Sequence, residues 1–202
     1  MRRPSSRARR ILARSGTPVA VLLAGLLVWQ GSNAAFSAQT HNNGNNWETG
    51  TVALTDDDAG TAMFGLANMV PMQTGSRCIT VTADTSVPGV IKTYVPTLTI
   101  GGLENYLDVV IEQGSGGSFA GGCSGFVNEQ TEASQTLTNL YTDHHDYTNA
   151  VDHLFWNKAA GVESRTFKIT WTFNTTSLTV DQVNALQGKD VGAVFEWELR
   201  NN

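Results

Sequence analysis

Three features of this sequence predict an all-β chain: a jelly-roll-like β-sandwich with one or two short helices. First, two late segments alternate strictly. Phe167, Ile169, Trp171 and Phe173 fall on one side of the chain and Lys168, Thr170 and Thr172 on the other; then Ala193, Phe195, Trp197 and Leu199 oppose Val194, Glu196, Glu198 and Arg200. A period of two sends successive side chains to opposite faces of a strand, so each segment offers an aromatic face to a core and a polar face to water. Two such strands suit the two layers of a sandwich. Second, β-branched residues dominate between Cys78 and Gln113, as strands favour. Third, Gly, Pro, Asp and Ser clusters cut the chain into short pieces.

Taken in order, residues 51–55 alternate, Asp56-Asp57-Asp58-Ala59-Gly60 breaks the run, and residues 61–66 resume it, which predicts two strands joined by a turn. Strands follow over 78–83, 90–100 and 106–113, separated by Thr85-Ser86-Val87-Pro88-Gly89 and by Gly101-Gly102. Pro96 has no N–H for a ladder and therefore marks an edge or a bulge. Residues 114–125, rich in Gly and Ser, form a loop. Leu137, Leu140, Tyr141 and His144 recur at helical spacing. Thr179-Val180-Asp181-Gln182 is a capping box opening a second helix, which Gly188 can close. The last two strands are 167–173 and 191–199.

The first 34 residues read as a signal peptide. Arg2, Arg3, Arg7, Arg9, Arg10 and Arg14 make a basic start, residues 19–29 an apolar core, and Ser32 and Ala34 supply the small-x-small pattern for cleavage between Ala34 and Ala35. The apolar run is shorter than the roughly 20 residues a membrane span needs. Neither Arg2-Arg3-Pro4 nor Arg9-Arg10-Ile11 continues as a twin-arginine signal. Cleavage would leave residues 35–202 as a single domain. It would also remove six of the 13 basic residues and none of the 18 acidic ones, taking the formal charge from −5 to −11. A chain so acidic repels nucleic acid and anionic lipid.

Cys78 and Cys123 are the only cysteines, and an exported chain meets an oxidising compartment. One disulfide is expected, closing a loop that would stabilise the fold by about 4 kcal/mol on the chain-entropy account. No His-bearing motif flanks either cysteine to suggest catalysis.

The order of motifs resembles the TasA/camelysin family of Gram-positive bacteria. The residues concerned are the basic export signal ending in Ala35-Phe36-Ser37, then Trp47-Glu48-Thr49-Gly50-Thr51-Val52-Ala53-Leu54, then Leu66-Ala67-Asn68-Met69-Val70-Pro71 leading into a strand. Met69 and Met72 stand where that family usually has Leu and Gly, and residues 114–160 match no part of the pattern. The resemblance implies a jelly-roll sandwich, export through a SipW-type signal peptidase, and residence at the cell surface or in the surroundings of a Gram-positive cell. Family members include the protein subunit of biofilm-matrix fibres and proteins described as cell-surface metalloproteases. The implied partners are therefore further copies of the chain or other matrix and surface proteins.

Candidate chemistry is sparse. His-Glu-x-x-His, the helical zinc motif of common metalloproteases, does not occur. Asp143, His144, His145, Asp146, Asp152 and His153 carry enough donors for a transition metal, with His144 and His153 as the candidate ligands. Neighbouring helical residues point about 100° apart, however, and the spacing favours a solvated polar loop. Asp56, Asp57 and Asp58 could supply hard oxygens to calcium, the one cofactor that is possible here. They lack the Asp-x-Asp-x-Asp-Gly spacing and suit turn chemistry better. No phosphate loop or Ser-His-Asp spacing is identifiable, so the sequence points to a structural role over an enzymatic one. The polar segment 35–46 would be freed by signal cleavage and could add as a strand to a neighbouring copy.

Overall fold

The computed structural model describes residues 37–40, 52–61 and 69–201. These lie within one compact unit, Phe36–Asn202. The signal peptide, the cleavage pair Ala34 and Ala35, and most of the segment around Trp47 lie outside the described residues.

The described residues form ten strands and two helices: β1 (Ser37–Thr40), β2 (Val52–Asp56), β3 (Thr74–Thr85), β4 (Gly89–Thr99), β5 (Leu107–Ser115), β6 (Val127–Thr131), β7 (Gln135–Thr136), α1 (Leu137–Asp143), β8 (Trp156–Lys158), β9 (Gly161–Phe173), α2 (Val180–Ala185) and β10 (Gly192–Asn201). All strand pairs are antiparallel. One sheet has the order β1-β10-β4-β8 and the other β2-β3-β9-β5-β6, with β7 pairing β5. The first strand lies beside the last, and the chain crosses repeatedly between the two sheets, β3 to β4, β4 to β5, β7 to β8, β8 to β9 and β9 to β10, as in a jelly-roll-like β-sandwich.

The alternation read from β9 is realised. Phe167, Ile169, Trp171 and Phe173 are all buried, as are Trp197 and Leu199 on β10, with Ala193 and Phe195 packed against the same core. The two layers meet where the Phe167 and Trp197 rings lie 5.2 Å apart at a tilt of 53°, a geometry that matches positive ring edge to negative ring face. Pro96 occupies a bulge, as expected. The β4–β10 register shifts there, with Thr97 opposite Val194 but Tyr94 opposite Glu196, so Val95 and Pro96 face the single residue Phe195.

The structure departs from expectation at several points. The partner of β2 is β3, with Val52 opposite Thr85 and Asp56 opposite Val81. Of the expected strand 61–66 only Thr61 is described, and it belongs to no strand. β6, β7 and β8 carry no strong alternation and were not foreseen; β6 is exposed along its whole length, so no apolar side chain marks it. The polar face of β10 is also not wet: Glu196 and Glu198 are buried. Residues 144–155 lie over that face and bond to the β4 edge beyond β8, Val95 N–H donating to His144 O (2.8 Å) and Val151 N–H to Thr93 O (2.9 Å).

Candidate functional site

Three places gather the residues singled out by sequence. The first is the outer edge of β10. β4 takes one side of this strand, and β1 takes the other over Trp197–Arg200, with Ser37 opposite Arg200 and Thr40 opposite Trp197. The segment beginning just after the expected cleavage site is therefore already a strand, paired within its own chain. Its four residues offer only a few backbone hydrogen bonds, each worth about 1 kcal/mol net. The stretch of the same β10 edge from Gly192 to Glu196 has no β1 partner among the described residues.

Beneath that strand lies a polar network that sequence reading missed. Tyr94 Oη lies 2.7 Å from Glu196 Oε1 and 2.8 Å from Glu198 Oε2, its hydrogen directed at two carboxylates. Burial, followed by these bonds and the two negative charges, holds the phenol well above its usual pKa. Arg200 Nε donates to Glu198 Oε1 (2.7 Å) and its guanidinium stacks 4.0 Å from the Tyr147 ring. Lys92 Nζ sits 4.7 Å from that ring and 4.4 Å from Phe155. The only sequence signal was Glu196 and Glu198 two residues apart, which an alternating strand makes look exposed. Their partner Tyr94 becomes visible only through the β4–β10 register.

The second place is the acidic turn. Asp57 is a clasp: Oδ1 accepts from Thr80 N–H and Oδ2 from Phe119 N–H, both at 2.8 Å, tying the turn to β3 and to the Gly-rich loop. Cys78 and Cys123 pin the same loop to the same strand as the expected disulfide, with Cα atoms 5.2 Å apart. Arg77 stacks 5.1 Å from the Phe119 ring. Asp58 is turned inward from the acidic turn. It is 4% exposed, and its Oδ1 accepts from Gly60 N–H at 2.7 Å. Burial, a hydrogen bond with Asp56 and the like charges of Asp56 and Asp57 push its carboxyl up to about 6, against the lowering effect of the Gly60 N–H. A carboxyl engaged in this way is a turn element, and both Asp57 oxygens already hold backbone donors.

The third place is the histidine segment. His144 caps the C-terminus of α1; its Nδ1 lies 3.0 Å from Asn149 O, and its carbonyl supports β4. Asp146 accepts from Thr148 and Asn149 N–H, an Asx turn that holds its carboxyl below the usual range. His153 is exposed. Among the described residues no three His, Cys, Asp or Glu side chains converge to hold a metal ion, and neither the His144/His153 pair nor Asp56–Asp58 is part of such a group.

No protein-family model matches this chain, and no curated protein matches it.

Proposed function

We propose that this chain is an exported structural protein of the cell surface or biofilm matrix that assembles with copies of itself through its N-terminal segment. The observation that carries the reading is β1, a four-residue edge strand that follows the expected signal peptide and sits on a longer acceptor edge. Strand addition needs a donor terminus and an acceptor edge, and specificity comes from backbone pairing along the ladder. If β1 of one copy takes the place of β1 on another, the contact is head-to-tail and does not close, so repetition gives filaments. The resemblance to a fibre-forming family supports the same reading, as does the use of the candidate ligands as turn and cap residues.

Electron microscopy of the protein beginning at Ala35, beside one beginning at Trp47, tests this. Filaments from the first and none from the second are expected; equal filaments from both would exclude the N-terminal segment as the donor.

A further inference from the structure

The turn that follows β2 is held closed against backbone strain. Thr61 N–H donates to Asp58 O (3.0 Å), and the two central residues, Ala59 and Gly60, lie at φ +53° and +78°. Glycine adopts that left-handed conformation freely, but the side chain of Ala59 crowds the backbone there. The turn is fastened from inside by the buried Asp58 carboxyl, which accepts from Gly60 N–H. Its inward position also sets it against Asp56, with which it shares a hydrogen bond, and beside the charge of Asp57. Two carboxyls can bond to each other only when a proton lies between them.

Asp57, next in the chain to this buried carboxyl, carries the clasp. Its Oδ1 takes the Thr80 N–H of β3 and its Oδ2 the Phe119 N–H of the Gly-rich loop. The tip of that loop is closed on itself, Ser118 N–H donating to Gly122 O and Gly121 N–H to Ser118 Oγ, both at 2.9 Å. It is thus one piece fixed at two points, by Asp57 at Phe119 and by the disulfide at Cys123.

We propose that the acidic turn is a pH-sensitive latch: the proton shared by Asp56 and Asp58 keeps the turn closed, and its loss opens the turn and frees the loop tip 118–122 from Asp57. An ionised Asp58 is a third adjacent negative charge held out of water, and turning outward restores its solvation. Because Asp57 is the preceding residue, that rotation withdraws both clasp oxygens from their donors, and it lets Ala59 leave the left-handed region. The charged groups around the turn are few. Residues 37–40 of β1, residues 59–68 and the loop 114–126 contain no acidic or basic side chain. β3 brings Arg77, stacked on Phe119; beyond it β9 brings Lys168, paired with Glu112, and Arg165, paired with Glu163 and Glu129. The described histidines, His144, His145 and His153, belong to the segment over the β4–β10 sheet. In these surroundings burial, as the largest cause, raises the Asp58 pKa to about 6.

Amide hydrogen exchange of the protein starting at Ala35, read as protection relative to the free-chain rate, tests the latch. Between pH 5 and 7.5 the Phe119 and Thr80 N–H groups should lose protection at least about tenfold. A carboxyl raised from 3.8 to about 6 couples at most about a hundredfold to opening, and part of that reaches the clasp. Ile169 N–H, in the middle of β9, should stay protected throughout. Asp58→Asn, which keeps an acceptor for Gly60, should hold Phe119 protected at both pH values, and Asp57→Ala should leave it unprotected at both. Equal protection of Phe119 in the parent at the two pH values, or the parent's loss repeated in Asp58→Asn, would overturn the latch. A parallel loss at Ile169 would do so too, since the whole sandwich would then be unfolding. If Asp58→Asn does not fold, Asp56→Asn takes its place: with one negative charge fewer beside Asp58, the loss at Phe119 should move to lower pH, and an unmoved midpoint would overturn the latch.

Discussion

Met72 and Asp58 are each held in a state unusual for the residue type, and each yields a measurable consequence. At φ +61° an L side chain crowds the backbone, and the third position of such a turn, here closed by Gln73 N–H to Val70 O, normally takes Gly. Met72→Gly should raise the unfolding free energy of the monomer by about 1 kcal/mol, relief of left-handed strain exceeding the added freedom of the unfolded chain; denaturant titration that shows destabilisation would refute this. Asp58 binds its proton more tightly folded, with a pKa of about 6, than unfolded, where 3.8 is ordinary. Its contribution is therefore fully present below pH 3.8 and is lost as pH rises through about 6. Between pH 4 and 7 the loss should reach up to about 3 kcal/mol. Asp58→Asn, which keeps an acceptor for Gly60 and a donor for Asp56, should remove that part of the pH slope. Parallel pH profiles for the two proteins would show that the turn holds no such proton.

The Gly-rich loop is the element most dependent on a few anchors, since residues 116–125 contribute little apolar surface of their own. Two anchors join it to β3: the Cys78–Cys123 disulfide and the Asp57 clasp. Replacing both cysteines by Ala should cost about 4 kcal/mol. Asp57→Ala should cost about 2 kcal/mol, since two backbone donors lose a charged acceptor; Asp57→Asn, with one acceptor oxygen, should cost less. Guanidinium titrations of the variants check both figures, and an Asp57→Ala protein as stable as its parent would show the clasp to be incidental. Strands with a buried face were legible in the sequence because burial imposes a period of two: β9 and β10 stood out for this reason, and Pro96 announced its bulge by lacking an N–H. The capping box at Thr179 was legible because both of its halves are local, and Thr179 and Gln182 do exchange bonds. β6 is exposed throughout, and β1 and β8 are very short, so none of them left a pattern. The Tyr94 network and the Asp57 clasp depend on pairings 102 and 62 residues apart in sequence, which no local pattern encodes.

At the scale of the molecule, charge opposes the self-association proposed for the N-terminal strand. After the expected cleavage seven basic residues face eighteen acidic ones. Among these seven, Arg165 is engaged with Glu163 and Glu129, Lys168 with Glu112, and Arg200 with Glu198. Lys158 is buried, its ammonium donating to the carbonyls of Ala159 and Gly161. The surface presented to a neighbour is therefore strongly negative, and two copies repel over distances set by the ionic strength. Screening falls off over about 30 Å at 0.01 M salt but about 8 Å at 0.15 M. The backbone bonds of an exchanged strand would act only at contact, so salt should lower the barrier without weakening the attraction. Light scattering of the protein beginning at Ala35 should show assembly rising steeply between 10 and 150 mM sodium chloride, intervals chosen to span that change in screening length. Lowering the pH toward 5 at fixed low salt should promote assembly as well, by neutralising part of the acidic excess. Assembly that is equally strong at both salt concentrations would mean that long-range repulsion between copies does not control the process.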